Sequence, residues 1–278
     1  MDSIAAIHTA ARQYCIERAF SWHQRYAELT ARGGIRLSGA DSKRGYTTEA
    51  CNIFPRYQTL AAIQNEVERF LPADFSSLEN ARQLLEVAGE TAQSNFTRFS
   101  DPTMRAAAEE ERRSFALFIR AIDESRLLTQ TDLPFCRVLG TAEHKQLHVS
   151  VIQRWGRWYG GCVDAKVISE PTTTLHIVAM EVPGSYEGIR AMLCERGIPR
   201  VLEIREYGDG FEIETQAADF TYNGAEGFWT SGDLDWLVYA SHESSITFGS
   251  NWLVEGMKRL LPDFEKYIYK GWDLALYG

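Results

Sequence analysis

The residues best suited to chemistry lie in one short segment, residues 235–245, with the sequence DWLVYASHESS. It places a histidine, His242, and a carboxylate, Glu243, among three serines at a predicted turn between two hydrophobic strands. A serine nucleophile needs an adjacent base, and His242 is the histidine nearby in sequence. The segment has no Gly-x-Ser-x-Gly motif, and such residues also close hairpins by hydrogen bonding to turn backbone. His242 and Glu243 are therefore candidate binding residues, with catalysis by this pair as the alternative.

Two histidines four residues apart, His144 and His148, share one face of a predicted helix and can both reach a metal ion. Their motif, HKQLH, lacks the glutamate that serves as the base in zinc proteases, and spacing dictates no third ligand. The five cysteines are scattered and odd in number, which is typical of neither a zinc site nor a disulfide framework. The sequence therefore predicts no metal and no cofactor.

A row of carboxylates follows a predicted hairpin around the turn Gly208-Asp209-Gly210. The row consists of Glu203, Glu206, Asp209, Glu212 and Glu214. These residues alternate along two strands and do not follow the one-three-five spacing of a calcium loop. We expect a solvated sheet face here, and we take the row as the candidate binding surface for a cationic partner.

Negative charge is concentrated in the second half of the chain. Residues 1–139 contain 17 Lys and Arg against 18 Asp and Glu, whereas residues 140–278 contain 12 against 20, a net charge of −8. A field of that sign repels the phosphates of nucleic acids and favours association with a basic protein. We therefore expect a protein partner with a basic surface, and no nucleic acid.

The first half of the chain is predicted to be helical because apolar residues recur at three- and four-residue steps and helix caps precede most of these runs. Five helices are expected, the last of them after the boundary between the halves. They start at Asp2 or Ser3, near Pro55, after the capping box at Ser76-Ser77, at Asp101-Pro102, and at Thr141.

The pattern changes to alternating and continuous apolar runs after Gly156. Strands are predicted at 174–182, 200–207, 211–215, 235–241 and 245–248, and short helices at about 186–195 and 252–261. We thus predict an α+β protein, with a helical region over 1–139 and a small, mainly antiparallel sheet crossed by one or two helices over 140–278. Trp236 is expected to be buried. The sequence leaves open whether the two regions share one core.

Composition is that of an ordinary globular chain, with 45% hydrophobic and 24% charged residues in 278. No stretch approaches the roughly 20 apolar residues of a membrane-spanning helix, and the N-terminus lacks the basic region of a secretory signal. The expected location is therefore the cytoplasm, with reduced cysteines and no membrane association.

Three segments resemble a group of bacterial proteins that has no established activity. They are LPFCRVL at 133–139, the helix ending in Trp155-Gly156, and DWLVYASHE at 235–243. The resemblance covers residues 130–160 and 228–250. It implies a bacterial source and no catalytic residues.

Three functional hypotheses follow. The first is a protein-binding module of the bacterial immunity or inhibitor type, which would neutralise a basic toxin or effector through its acidic half. The second is an enzyme acting on a small molecule near His242 and Glu243, and the third is a structural subunit of a bacterial defence or signalling assembly. A deep concave pocket converging on His242 and Glu243 would favour the second hypothesis, and a broad acidic face would favour the first.

Overall fold

A computed structural model describes residues 2–35, 45–156, 158–159, 162–163, 174–178, 186–206, 208–221, 225–242 and 244–268. The chain divides into two compact units, Met1–Leu133 and Pro134–Gly278, which we call the helical unit and the α+β unit. The predicted α+β class is confirmed.

The helical unit is built from helices that begin where side-chain caps are present. Within its described part these are α1 (Ser3–Ala31), α2 (Thr48–Val67), α3 (Leu78–Thr91), α4 (Pro102–Ala121) and the single turn α5 (Glu124–Leu127). The Asp2 carboxylate accepts a hydrogen bond from the backbone of α1, and Ser77 and Asp101 do the same for α3 and α4. These three starts were predicted from the sequence.

The predicted start of α2 near Pro55 is wrong. The helix begins seven residues earlier, where Thr47 Oγ1 accepts a hydrogen bond from the Ala50 N–H at 3.2 Å. Pro55 lies inside the helix, where it has no N–H to donate to the preceding turn. Its neighbours Ile53 and Leu60 are buried, so packing of this face offsets the lost hydrogen bond.

The core of the helical unit contains a buried ionic cluster centred on Glu111. The Glu111 side chain is fully buried and forms ion pairs with Arg18 and Arg56, the latter at 2.7 Å between Nη1 and Oε1. Arg56 also contacts the half-exposed Glu110 at 2.6 Å. Because both oxygens of Glu111 are used, the burial of its charge is compensated by hydrogen bonds from α1 and α2.

His8 is a buried titratable group in the same unit. Its Nε2 lies 3.1 Å from the Val67 carbonyl oxygen, which fits an N–H donating to the end of α2. Burial lowers the pKa of His8 from its ordinary 6.5 to about 4, despite the opposing effect of this hydrogen bond. His8 is therefore protonated near pH 6.5 in the unfolded chain but only near pH 4 in the folded chain.

Because of His8, we expect the free energy of unfolding to fall by about 2–3 kcal/mol as the pH drops from 6.5 towards 4. Urea unfolding at a series of pH values measures it. In His8→Gln this part of the pH dependence should disappear, whereas His23→Gln, at an exposed position of α1, should retain it. Parallel curves for all three proteins would contradict the assignment.

The α+β unit contains an antiparallel sheet that has seven strands among the described residues. They are β1 (Cys136–Val138), β4 (Thr174–Val178), β5 (Arg200–Arg205), β6 (Phe211–Glu214), β7 (Gly227–Thr230), β8 (Leu237–Ser241) and β9 (Ser245–Gly249). Their order is β1-β6-β5-β7-β8-β9-β4, and the short strands β2 (Trp158–Tyr159) and β3 (Cys162–Val163) pair separately. The predicted hairpins β5–β6 and β8–β9 are confirmed. Strand β1 lies before residue 139 and pairs with β6, which follows it by more than seventy residues.

Helices cover both faces of this sheet. The larger core includes residues of α7 (Tyr186–Glu195) and α8 (Asn251–Leu260), such as Leu193 and Leu253, together with Val238 and Ala240 of β8. A second cluster joins Trp155 of α6 (Thr141–Trp155) to the alternate β8 residues Leu237 and Tyr239. Successive side chains of a strand point to opposite faces, so every residue of β8 is buried.

Candidate functional site

Two carboxylates of the predicted acidic row form intramolecular contacts in β6. Glu212 bridges two arginines, with its oxygens 2.6 Å from Arg137 Nε and 3.0 Å from Arg200 Nη1, and its side chain is only 17% exposed. The register of the sheet places Arg137 directly opposite Glu212. Glu214 accepts a hydrogen bond from the Phe135 N–H at 3.0 Å. Glu212, which was expected on a solvated sheet face, is therefore only partly exposed, because cross-strand arginines pair with its carboxylate.

The other members of the row differ in their surroundings. Glu203 is buried and forms two hydrogen bonds with Arg205, its neighbour on the same face of β5. Glu206 is exposed, and one of its oxygens accepts a hydrogen bond from the Glu226 N–H at 3.0 Å. Asp209 is half-buried in the turn. Two members of the row, Glu203 and Glu212, thus form internal ion pairs, Asp209 and Glu214 are half-buried, and Glu206 is exposed, so the row does not present five equivalent carboxylates to solvent.

A cleft of about 650 Å³ lies within the α+β unit, lined by residues of α6 and of strands β5, β7 and β8. Its apolar lining comes from Ile152, Ile204, Phe228 and Tyr239, the last three of which are almost fully buried. These residues extend the smaller of the two cores to the surface. The cleft therefore has a wall fixed by packing, as binding sites for small molecules usually do.

The two histidines noted in the sequence, His144 and His148, both line this cleft. They lie one helical turn apart on α6, and the His148 ring packs against Phe228 with ring centroids 6.2 Å apart. Burial, and to a smaller extent the charge of His144, lowers the pKa of His148. His144 Nε2 is inaccessible to solvent and has no hydrogen-bond partner among the described residues. No group of three or more metal-binding side chains is present in the described part of the chain.

Glu226 is the polar centre of the cleft, and sequence reasoning missed it. Its Oε1 accepts a hydrogen bond from the Tyr239 hydroxyl at 2.7 Å and lies 3.3 Å from His242 Nδ1. The register of β7 and β8 pairs Phe228 with Tyr239 and so brings Glu226 beside this strand. The contact thus arises from strand pairing between residues 13 apart, for which no local motif exists.

His242 lies at the turn between β8 and β9, and the neighbouring Ser241 and Ser245 lie at the ends of those strands. His242 is 53% exposed and contacts the carboxylate of Glu226, whereas Glu243 lies outside the described residues. Ser241 and Ser245 are fully buried within β8 and β9, so neither is accessible as a nucleophile. The described residues that line the cleft include Glu226 but not His242. Catalysis by His242 and Glu243 stays a prediction.

No family model matches this sequence, and neither a curated protein nor a solved structure shows similarity to it. Among the helices described above, none is both long and apolar enough to cross a bilayer. A functional proposal must therefore come from the geometry of the α+β unit itself.

Proposed function

We propose that the α+β unit binds a small organic molecule in the cleft beside α6. The observation that carries this proposal is the cleft's combination of size and lining. Its volume of about 650 Å³ falls within the roughly 300–1,000 Å³ typical of ligand sites. Its wall is apolar, and the carboxylate of Glu226 converges on it together with His148. This is the arrangement expected of a site that buries a ring and orients it with few polar groups.

The internal pairing of the acidic row also supports this choice. Glu203 and Glu212 form ion pairs with arginines of the same unit, so the unpaired acidic surface along β5 and β6 is smaller than the sequence suggests. The concave site adjoins the carboxylate that contacts His242.

Binding of a neutral aromatic probe tests this proposal. Indole should bind with an affinity in the millimolar range, about −4 kcal/mol, because a ligand of this size gains little more in such a site. Ile152→Trp places a large side chain in the cleft from α6 and should weaken indole binding at least about tenfold. Val149→Trp makes the same kind of change at an exposed position of the same helix and should leave binding unaltered.

Ligand-detected NMR titrations of indole with each protein in turn measure these affinities. Unchanged indole binding in Ile152→Trp would mean that indole binds elsewhere. Failure of the wild-type chain to bind indole or any other aromatic probe of this size would overturn the proposal.

A second candidate is favoured by the charge of residues 140–278, which is −8. It is a protein-binding function of the bacterial immunity or inhibitor type, in which exposed carboxylates such as Glu206 attract a basic toxin or effector in the cytoplasm. Recovery of a basic protein in a one-to-one complex from the native host, dissociating with added salt, would support it.

A further inference from the structure

We propose that the cleft of the α+β unit selects a small aromatic cation, of the amidine or amine class, in preference to neutral or anionic rings. This inference rests on the proposed small-molecule function and concerns the charge of the ligand. It follows from the formal charges that line the cleft and from the partners that each of them has.

The positive charge at the cleft is already matched within the protein. Arg205 is a lining residue, and its guanidinium donates two hydrogen bonds to the carboxylate of Glu203. Its Cζ also lies 4.5 Å from the centroid of the Phe211 ring. An anionic ligand would have to compete with a buried carboxylate for this guanidinium, so Arg205 is poorly suited to bind an anion.

The negative charge of Glu226 is only partly matched. Glu226 and Glu206 both line the cleft: the Glu206 N–H donates to the Glu226 carbonyl at 2.8 Å, and the Glu226 N–H donates to a carboxylate oxygen of Glu206 at 3.0 Å. Oε1 of Glu226 accepts a hydrogen bond from Tyr239 and lies 3.3 Å from His242 Nδ1, whereas no donor reaches its Oε2 within the described ranges. The Glu226 side chain is 22% exposed, so its charge acts in a medium of lower dielectric than water. A ligand N–H that reaches Oε2 would form a charge-assisted hydrogen bond.

The surroundings of Glu226 add a further reason for a cation. Burial lowers the pKa of His148, which favours a neutral imidazole at pH 7 that does not offset the carboxylate of Glu226. This effect acts in the same direction as the unmatched carboxylate oxygen.

Three probes of the same size and shape separate charge from shape, namely benzamidine, benzamide and benzoate. Isothermal titration at pH 7 and low ionic strength should give an affinity for benzamidine about tenfold higher than for benzamide, because a hydrogen bond to a charged group is stronger than one between neutral groups. Benzoate should bind more weakly than benzamide. Glu226→Gln keeps an acceptor for Tyr239 but removes the charge, and should bring the benzamidine and benzamide affinities to within about twofold of each other.

Glu255→Gln is the matched control, because it makes the same change at an exposed position of α8. It should preserve the tenfold preference, and circular dichroism should show both variants folded. Equal binding of benzamidine and benzamide by the wild-type chain, or a preference for benzoate, would overturn the cation inference while leaving the proposed binding function intact. Failure of all three probes to bind, together with failure of indole, would overturn both.

Discussion

Replacing Trp236 by alanine is expected to lower the free energy of unfolding by about 3–5 kcal/mol. Trp236 is fully buried, as the sequence predicted, and belongs to the core between the sheet and helices α7 and α8. Its indole N–H has no hydrogen-bond partner among the described residues, so the loss comes from apolar packing and from the cavity that remains. The carbonyl of Trp236, which accepts a hydrogen bond from Thr230, is retained in the variant.

Urea unfolding followed by far-UV circular dichroism measures the change. Phe20→Ala is a suitable comparison, because the Phe20 side chain is 61% exposed on α1 and its removal should change stability by under about 0.5 kcal/mol. A loss below about 1 kcal/mol for Trp236→Ala would show that the core can collapse onto the vacated space. The packing argument would then be wrong.

Replacing Glu111 by alanine is expected to destabilise the chain by about 3–4 kcal/mol, since Arg18 and Arg56 then lose the carboxylate that compensates their positive charges. Arg56 is the more affected, because its side chain is only 7% exposed. Arg18 is 37% exposed and can turn towards water, which limits the loss. The expected value is therefore nearer the lower end of what breaking a buried ion pair costs.

Glu110→Ala provides a control at the adjacent position. Glu110 contacts the same arginine but is 56% exposed, so the loss should stay below about 1 kcal/mol. Equal losses for the two variants in chemical denaturation would mean that burial of Glu111 adds nothing to its ion pairs.

The helical unit was predictable where the signals are local. Asp2, Ser77 and Asp101 satisfy backbone N–H groups within three residues of themselves, so the sequence alone identifies them as caps. Pro55 misled the prediction because a proline suits a first helical turn. The start at Thr48 has its own local signal in the Thr47 cap, but continuation of the helix through Pro55 depends on packing of the whole face of α2 against the rest of the unit, which no short window contains.

The candidate site was predictable only in part, for the same reason. The shared face of His144 and His148 follows from helical spacing, and the structure places both in the cleft. The pairing of Glu212 with Arg137 joins residues 75 apart in the sequence, and the contact of Glu226 with Tyr239 depends on strand register. Neither contact leaves a trace in composition or spacing.

The complete burial of β8 limits the substitutions that this strand can accept. Most sheet strands have one face on which substitutions are nearly neutral, and mutations accumulate there. In β8 a substitution at any position alters a side chain in a packed core, since α6 covers one face of the strand and α7 and α8 cover the other. Leu237–Ser241 should therefore tolerate the fewest substitutions in a saturation library of the α+β unit. The run of apolar residues that precedes His242 in the sequence reflects this double burial.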